Sequence, residues 1–343
     1  MAKASTVTGQ GDQSDKPFDD RLRNALARRF GEAVQLEIVG EPSMGGSNHT
    51  LLFDLIEGSA RGRLVMRRET YTGLGNPFLP PENQYRLLQV ARRHGIPVPE
   101  PVLELTPEDE LGRGFVMSYI AGETIPRRII RDAAFAEARP KLAAQCGEIL
   151  ARIHAIDLGE VDFLADIDDS RDPIAAQRHR LDLYGETHPA LEVGLRWLER
   201  NRPQHQTPVM LHGDFRNGNF IVGTDGIRAV LDWECSHFGH AMEDLGWLCL
   251  RSWRFGHNDD PVGGFGRRED LYTAYQAASP IAIGPAEIHY WEVFGFVRWA
   301  VLNVMQGYGH VHENRRSLVF AACGRNTAVI EYDLIETILG RLD

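Results

Sequence analysis

The chain has 343 residues, 43% of them hydrophobic and 25% charged, which is length enough for one large domain or two lobes around a sizeable core. Its 37 Lys and Arg stand against 48 Asp and Glu, a formal net charge of -11. That acidity argues against nucleic acid or a membrane surface as partner and permits a cationic small molecule without demanding one.

Residues 1–16 are polar and small and read as a disordered tail. "AVQLEIVGEPSMGGSNHTLLFDLIEG" predicts two strands around a Gly-Gly-Ser-Asn turn, and "RGRLVMRRE" a third. "PPENQYRLLQVARRHG" opens on prolines and stops at His94-Gly95, the signals of a helix. Positions 84, 87, 88 and 91 follow i, i+3, i+4, i+7 spacing, so Gln84 shares a face with Leu87, Leu88 and Ala91, while Glu82 falls on the polar side. "IPVPEPVLEL" begins extended, and "GRGFVMSYIAGETI" reads as a strand leaving into a glycine-containing loop. Beyond it the pattern is mostly helical. "KLAAQCGEILARIHAI" places Leu142, Cys146, Ile149, Leu150 and Ile153 on one stripe, and Trp-rich helical segments occupy much of 240–340.

The fold class is therefore α+β: a β-rich lobe over 17–117, a boundary at 118–122, and a helical lobe over 123–343. Cys146, Cys235, Cys249 and Cys323 form no CxxC pair and read as small hydrophobes of a reducing cytoplasm. No charged-apolar-small leader opens the sequence. The longest apolar run, 293–305, is shorter than the roughly 18 residues a spanning helix needs and contains Arg298.

Inside the helical lobe, "VMLHGDFRNGNFIVGTDGIRAVLDWE" runs from Val209 to Glu234. Val209 to Leu211 predicts a buried strand that delivers His212-Gly213-Asp214 at its end. Ile221-Val222 and Ala229 to Leu231 form a hairpin about Asp225-Gly226, and pairing them brings Asn219 beside Asp232. Two oxygen-bearing side chains at one hairpin end suit a hard cation such as Mg²⁺, which takes one or two protein ligands and completes its shell with phosphate and water. Asp214 is placed to orient or deprotonate a hydroxyl, and Arg216 to neutralise phosphate oxygens. Phosphoryl transfer needs that set.

The ordered pattern His212-x-Asp214-x4-Asn219, with Asp232 thirteen residues later, resembles the catalytic region of the aminoglycoside phosphotransferase and choline kinase family, which shares the bilobal protein-kinase-like fold. "HGDFRNGNFIV" followed by "VLDWE" is closest to the acyl-CoA dehydrogenase-linked branch. The resemblance spans roughly residues 30–340. It implies that Asp214 is the catalytic base, that Asn219 and Asp232 hold Mg²⁺, and that Arg216 contacts the γ-phosphate. It also implies that His212 braces the loop and that Asp244 of "EDLGW" buttresses it.

In the amino-terminal lobe the resemblance makes "SMGGSNHT" the phosphate-approaching loop, with Gly45, Gly46, Ser47 and Asn48 as contacts. It makes 118–122 a hinge whose backbone near Ser118 and Ile120 would bond a purine lined by Met117, ATP ahead of GTP. The family's third-strand Lys and helix Glu are here Arg67 and Gln84. Arg keeps the charge, while Gln can only hydrogen-bond. Arg68 would face the opposite way from Arg67.

The acceptor is a small-molecule hydroxyl. Arg178, Arg180, Arg251, Arg254, Arg267, Arg268 and Arg298 give the helical region a cationic flavour, which favours an anionic acceptor such as a hydroxyacyl-CoA over an aminoglycoside or other antibiotic. Trp247, Trp253, Trp291 and Trp299 read as core rather than site. The competing class is a kinase-like nucleotide-binding module with weak or no catalysis, motivated by the lost Lys–Glu pair. Retention of Asp214, Asn219 and Asp232 together favours the enzyme. Oligomeric state is left open.

Overall fold

The computed structural model describes residues 17–31, 34–41, 48–70, 72–203, 207–313 and 315–342. The turn residues Gly45, Gly46 and Ser47 lie outside them, as does the tail.

The chain opens with helix α1 (Phe18–Phe30), followed by strands β1 (Gln35–Gly40), β2 (Asn48–Glu57) and β3 (Ala60–Glu69). Helix α2 (Pro81–Arg93) and strands β4 (Pro101–Glu104) and β5 (Gly114–Ser118) complete the first lobe. The five strands form one antiparallel sheet in the order β1-β2-β3-β5-β4.

The alternation of side chains gives this sheet two covered faces. Leu64 and Met66 of β3 and Val116 of β5 pack with Leu22, Ala25 and Leu26 of α1. Val65, Phe115 and Met117 point the other way, into a core shared with Leu87, Leu88 and Ala91 of α2 and with the helical lobe. Gln84 is buried on that same α2 face, at the spacing its heptad predicts. α1 has no counterpart in the sequence reading, which starts the lobe at residue 17 but names no helix before the first strand.

The second lobe contains α3 (Pro126–Arg131), α4 (Arg139–His154), α5 (Asp168–Arg171), α6 (Pro173–Tyr184) and α7 (Pro189–Arg200). Four short strands follow: β6 (Val209–Leu211), β7 (Phe220–Gly223), β8 (Gly226–Val230) and β9 (His237–Gly239). Helices α8 (Ala241–Cys249), α9 (Arg268–Ala278), α10 (Pro285–Val311) and α11 (Leu318–Ile338) close the chain. The stripe Leu142, Cys146, Ile149, Leu150 and Ile153 of α4 is buried as its spacing requires. α10, 27 residues and so about 40 Å long, is the axis on which α6, α7, α8 and α11 pack. No helix among the described residues is long and apolar enough to cross a membrane.

Two small antiparallel ribbons hold the residues of interest. β6 pairs with β9, and β7 pairs with β8. The hinge lies against the second ribbon: Glu123 exchanges backbone hydrogen bonds with Val222, and a Cβ on Gly122 would come within 2.9 Å of the Val222 carbonyl. Val230 N–H donates to the Pro97 carbonyl at 2.8 Å, tying the same ribbon to the first lobe.

Candidate active site at the lobe interface

Asp214 emerges from the end of β6 through a turn that only glycine accommodates. Gly213 sits at φ +77°, and a Cβ there would collide with the Cys235 carbonyl. The turn is held by Asp244, fully buried on α8, whose two oxygens accept from His212 N–H at 2.8 Å and Gly213 N–H at 2.9 Å. His154 Nε2 lies 3.3 Å from the same carboxylate. Burial works against the Asp244 charge, but His154 and the backbone donors outweigh it and keep the pKa below the ordinary range. Arg298 of α10 reaches the Gly213 carbonyl from the opposite side.

His212 takes part through its hydrogen bonds. Asp214 N–H donates to its Nδ1 at 3.2 Å, so the ring proton is on Nε2, which donates to the Leu231 carbonyl at 3.0 Å. Burial depresses its pKa, keeping the imidazole neutral. It thereby ties the turn after β6 to the end of β8.

The Asp214 carboxylate is half-buried and oriented by three donors. Trp247 Nε1 at 2.9 Å and Arg216 Nε at 2.9 Å share Oδ1, while Asn219 Nδ2 reaches Oδ2 at 2.7 Å. Arg216 also stacks 4.4 Å above the Trp253 ring, so its guanidinium is fixed on two sides. Trp247 was legible only as core. Its indole is buried against Trp253 and Trp299, and nothing in the local sequence shows that its N–H ends on Asp214.

The hairpin does what its pattern predicts. Leu231 N–H donates to the Asn219 carbonyl at 2.8 Å, which sets Asn219 beside Asp232. Asn219 spends its amide nitrogen on Asp214, on both the carboxylate and the main-chain carbonyl, which leaves its amide oxygen as an acceptor. Asp232 occupies the left-handed region at φ +62°, a strained conformation for a residue other than glycine.

Across the cleft, Arg67 leaves β3 on the inward face and forms an ion pair with Asp232; its Nη2 lies 3.8 Å from Glu234. Burial opposes the Asp232 charge, yet the Arg67 guanidinium beside it holds the pKa below the usual carboxylate value. The Arg67 Nε is buried and finds no hydrogen-bond partner among the described residues. Arg68 turns away as alternation requires, lying over Phe18 on the α1 side. It cannot stand in for Arg67.

Arg67, Gln84, Phe115, Met117, Asp232 and Trp233 line one cleft between the lobes, with about 10 Å³ of open space, roughly one water. Met117 lines this cleft beside Phe115. Ser118 N–H is already committed to the Glu100 carbonyl at 2.8 Å, so this N–H does not serve as a hinge donor to a base. Ile120, half-buried, follows two residues later. Gln84 does not face Arg67 as a partner: its Nε2 donates to the Leu79 carbonyl at 2.8 Å.

The arginines that gave the helical lobe its cationic flavour are occupied. Arg178 bonds Glu192 at 2.8 Å and Glu199 at 3.0 Å, Arg180 bonds Asp169 at 3.0 Å, and Arg268 reaches Glu292 at 2.6 Å. Arg267 lies 3.3 Å from Glu269 and Arg251 3.7 Å from Asp333. Arg254 donates to the Cys249 carbonyl at 2.8 Å, and Arg298 is the brace on Gly213. Their partners are acids and carbonyls of the lobe itself, so the cationic flavour of the sequence is not by itself an argument for an anionic acceptor. His237 and His240 likewise diverge, to Glu243 at 3.1 Å and to the Met242 N–H at 3.2 Å.

A carboxylate oriented at one strand end, an amide and a carboxylate at the mouth of the neighbouring ribbon, and a buried cation facing them from the other lobe define a phosphotransferase of the bilobal kinase-like class. The phosphotransferase enzyme family model matches residues 43–281, and the chain belongs to that family. Acyl-CoA dehydrogenase family member 11 of Gallus gallus is 31% identical over 222 residues, which cover 60% of this chain and 27% of that protein. The chain thus spans about a quarter of the length of the curated relatives it matches. Among solved structures, a candidate aminoglycoside phosphotransferase from Ralstonia eutropha superposes with a TM-score of 0.69 at 22% identity, covering 93% of this chain and 97% of its own. The streptomycin-ATP-APH(2'')-IIa ternary complex superposes with a TM-score of 0.56 at 18% identity, over 88% and 95%. At those identities the two structures share the fold with this chain.

Proposed function

We propose that this phosphotransferase moves the γ-phosphoryl group of ATP, with Mg²⁺, to a hydroxyl of a small molecule, and that the acceptor is a hydroxylated acyl thioester. The observation that carries the reaction is a chain of contacts: Asn219 bonds Asp214, its carbonyl takes the N–H of Leu231 next to Asp232, and Asp232 faces Arg67 across the cleft. Asp214, aimed by Trp247, Arg216 and Asn219, orients the acceptor hydroxyl and takes its proton as the oxygen attacks phosphorus. Arg216, two residues on and held over Trp253, supplies positive charge where the transferred group gathers negative charge. Arg67 grips the phosphates that stay with the nucleotide.

The donor set fits Mg²⁺: an amide oxygen and a carboxylate, hard oxygens at adjacent positions. Bound there, the ion would neutralise phosphate oxygens. Met117 and Phe115 offer the apolar walls a purine needs, and the ATP in the aminoglycoside phosphotransferase complex supports that nucleotide.

Two observations support the acyl acceptor. Trp247, which bonds Asp214, belongs to an aromatic cluster with Trp253 and Trp299 whose ring centroids lie 4.9 to 6.4 Å apart. The relatives with the same domain bear the names of acyl-CoA dehydrogenases. The test is ADP release from ATP and Mg²⁺ with hydroxyacyl-CoAs, aminoglycosides and ethanolamine as rival acceptors. Turnover confined to the hydroxyacyl-CoAs is expected. Turnover with an aminoglycoside and none with any acyl thioester refutes the acceptor assignment and leaves the phosphotransferase reading intact.

A further inference from the structure

The loss of a carboxylate at position 84 leaves open what holds Arg67 in place. We propose that Glu234 is the positioning residue for Arg67, reaching from the helical lobe to do what a carboxylate on α2 would do from its own lobe. This inference rests on the reading that the cleft takes ATP.

The contacts form a closed circuit. Gln84 donates to the Leu79 carbonyl at 2.8 Å, and Leu79 N–H donates to the Glu234 carbonyl at 2.7 Å. The inward polar residue of α2 is therefore spent on anchoring the main chain of residue 234. The Glu234 side chain accepts from Asn48 Nδ2 at 2.6 Å and lies 3.8 Å from Arg67 Nη2. Asn48 is the first residue of β2, paired with Glu69 in the register that sets Arg67 opposite Thr50. One residue of the second lobe thus joins the start of β2 and the cation of β3 through its carboxylate, and the approach to α2 through its main-chain carbonyl.

Arg67 consequently has two carboxylate neighbours with different obligations. Asp232 stands at the ribbon mouth with Asn219 and suits a cation. Glu234, two residues beyond and mostly buried, is turned toward Asn48 and Arg67. With a cation held by Asp232 and Asn219, Glu234 would keep the guanidinium in the cleft through Nη2 and leave its Nη1 for phosphate. Because Glu234 belongs to one lobe and Arg67 to the other, the grip on phosphate is also a contact that holds the lobes together.

Calorimetric titration of ATP and of adenosine, each with Mg²⁺, into wild type, Glu234→Gln, Arg67→Gln and the double variant tests the assignment. Adenosine carries no phosphate, so a residue acting through Arg67 leaves its affinity unchanged. The expected result is that Glu234→Gln weakens ATP about tenfold or more with adenosine unaffected, and that it adds little in the Arg67→Gln background. ATP binding equal to wild type in Glu234→Gln overturns the inference while the nucleotide reading stands. Equal losses for ATP and adenosine overturn it too, because they mark a collapsed cleft. A wild type that binds no ATP overturns both.

Discussion

At the scale of single residues, chemistry that depends on short sequence spacing was legible and chemistry that depends on distant partners was not. Asp214, Asn219 and Asp232 lie within 19 positions of one another, and a hairpin rule is enough to bring the last two together. The arginines illustrate the opposite case. Arg180 ends on Asp169 and Arg268 on Glu292, partners that composition cannot assign. Trp247 was hidden for a similar reason, since an indole in an apolar helix looks like packing until its N–H is traced. Trp247→Phe keeps most of that packing and removes one of the three donors to Asp214. It should lower kcat about tenfold or more, in line with about 1.5–3 kcal/mol for a hydrogen bond to a charged group, with little change in Tm. Steady-state kinetics beside a melting curve decides this; an unchanged kcat would mean that the Trp247 bond does not orient the base.

A second residue-scale consequence concerns pH. His237 is buried with acceptors on both sides, Glu243 Oε1 at 3.1 Å and the Cys235 carbonyl at 2.9 Å. Burial and Arg298 oppose its charge, but Glu243, with help from Asp169, prevails and raises its pKa above the usual 6.5. The folded state therefore binds this proton more tightly than the unfolded chain. The stabilisation is fully present below about pH 6.5 and fades as pH rises through the folded value. The Tm difference between wild type and His237→Gln should be widest near about pH 6 and narrow by about pH 9. A difference that widens with pH contradicts the assignment.

At the scale of elements, strong periodicity carried the reading. The α2 face with Gln84, the α4 stripe and the β7–β8 hairpin all follow from spacing. α1 escaped because its sequence, FDDRLRNALARRF, is dominated by charge and buries only a narrow face. Its helix depends on packing against the sheet more than on its own pattern. The pairing of β6 with β9 also escaped, since three-residue strands carry almost no signal of their own. The α1 contact is nevertheless substantial. Leu26 is fully buried against the outer sheet face, so Leu26→Ala should cost about 2–5 kcal/mol, measured by denaturant titration. A loss below about 1 kcal/mol would mean that α1 is dispensable to the lobe.

At the scale of the whole molecule, the two lobes meet around a cleft that Arg67 crosses to pair with Asp232. A nucleotide whose phosphates meet Arg67 would compete with that pair, so its binding should draw on the charge network of the proposed reaction. ATP with Mg²⁺ at about 100 times its Kd should stabilise the protein by about 2.7 kcal/mol, visible as a rise in Tm. Arg67→Ala should abolish most of that rise. An equal rise in that variant would place the phosphates elsewhere.

The central claim is that Asp214 handles the acceptor in a phosphoryl transfer. It is tested most directly by mass-spectrometric detection of phosphorylated product from ATP, Mg²⁺ and hydroxyacyl-CoA, in wild type and in Asp214→Asn. Asn is nearly isosteric and loses the base; its amide oxygen can still accept on one side, while its NH2 gives up the acceptor on the other. Wild type should give product, and Asp214→Asn a rate lower by about 10²–10⁴-fold with ATP affinity and Tm preserved. Product formed at the wild-type rate by Asp214→Asn would contradict the claim.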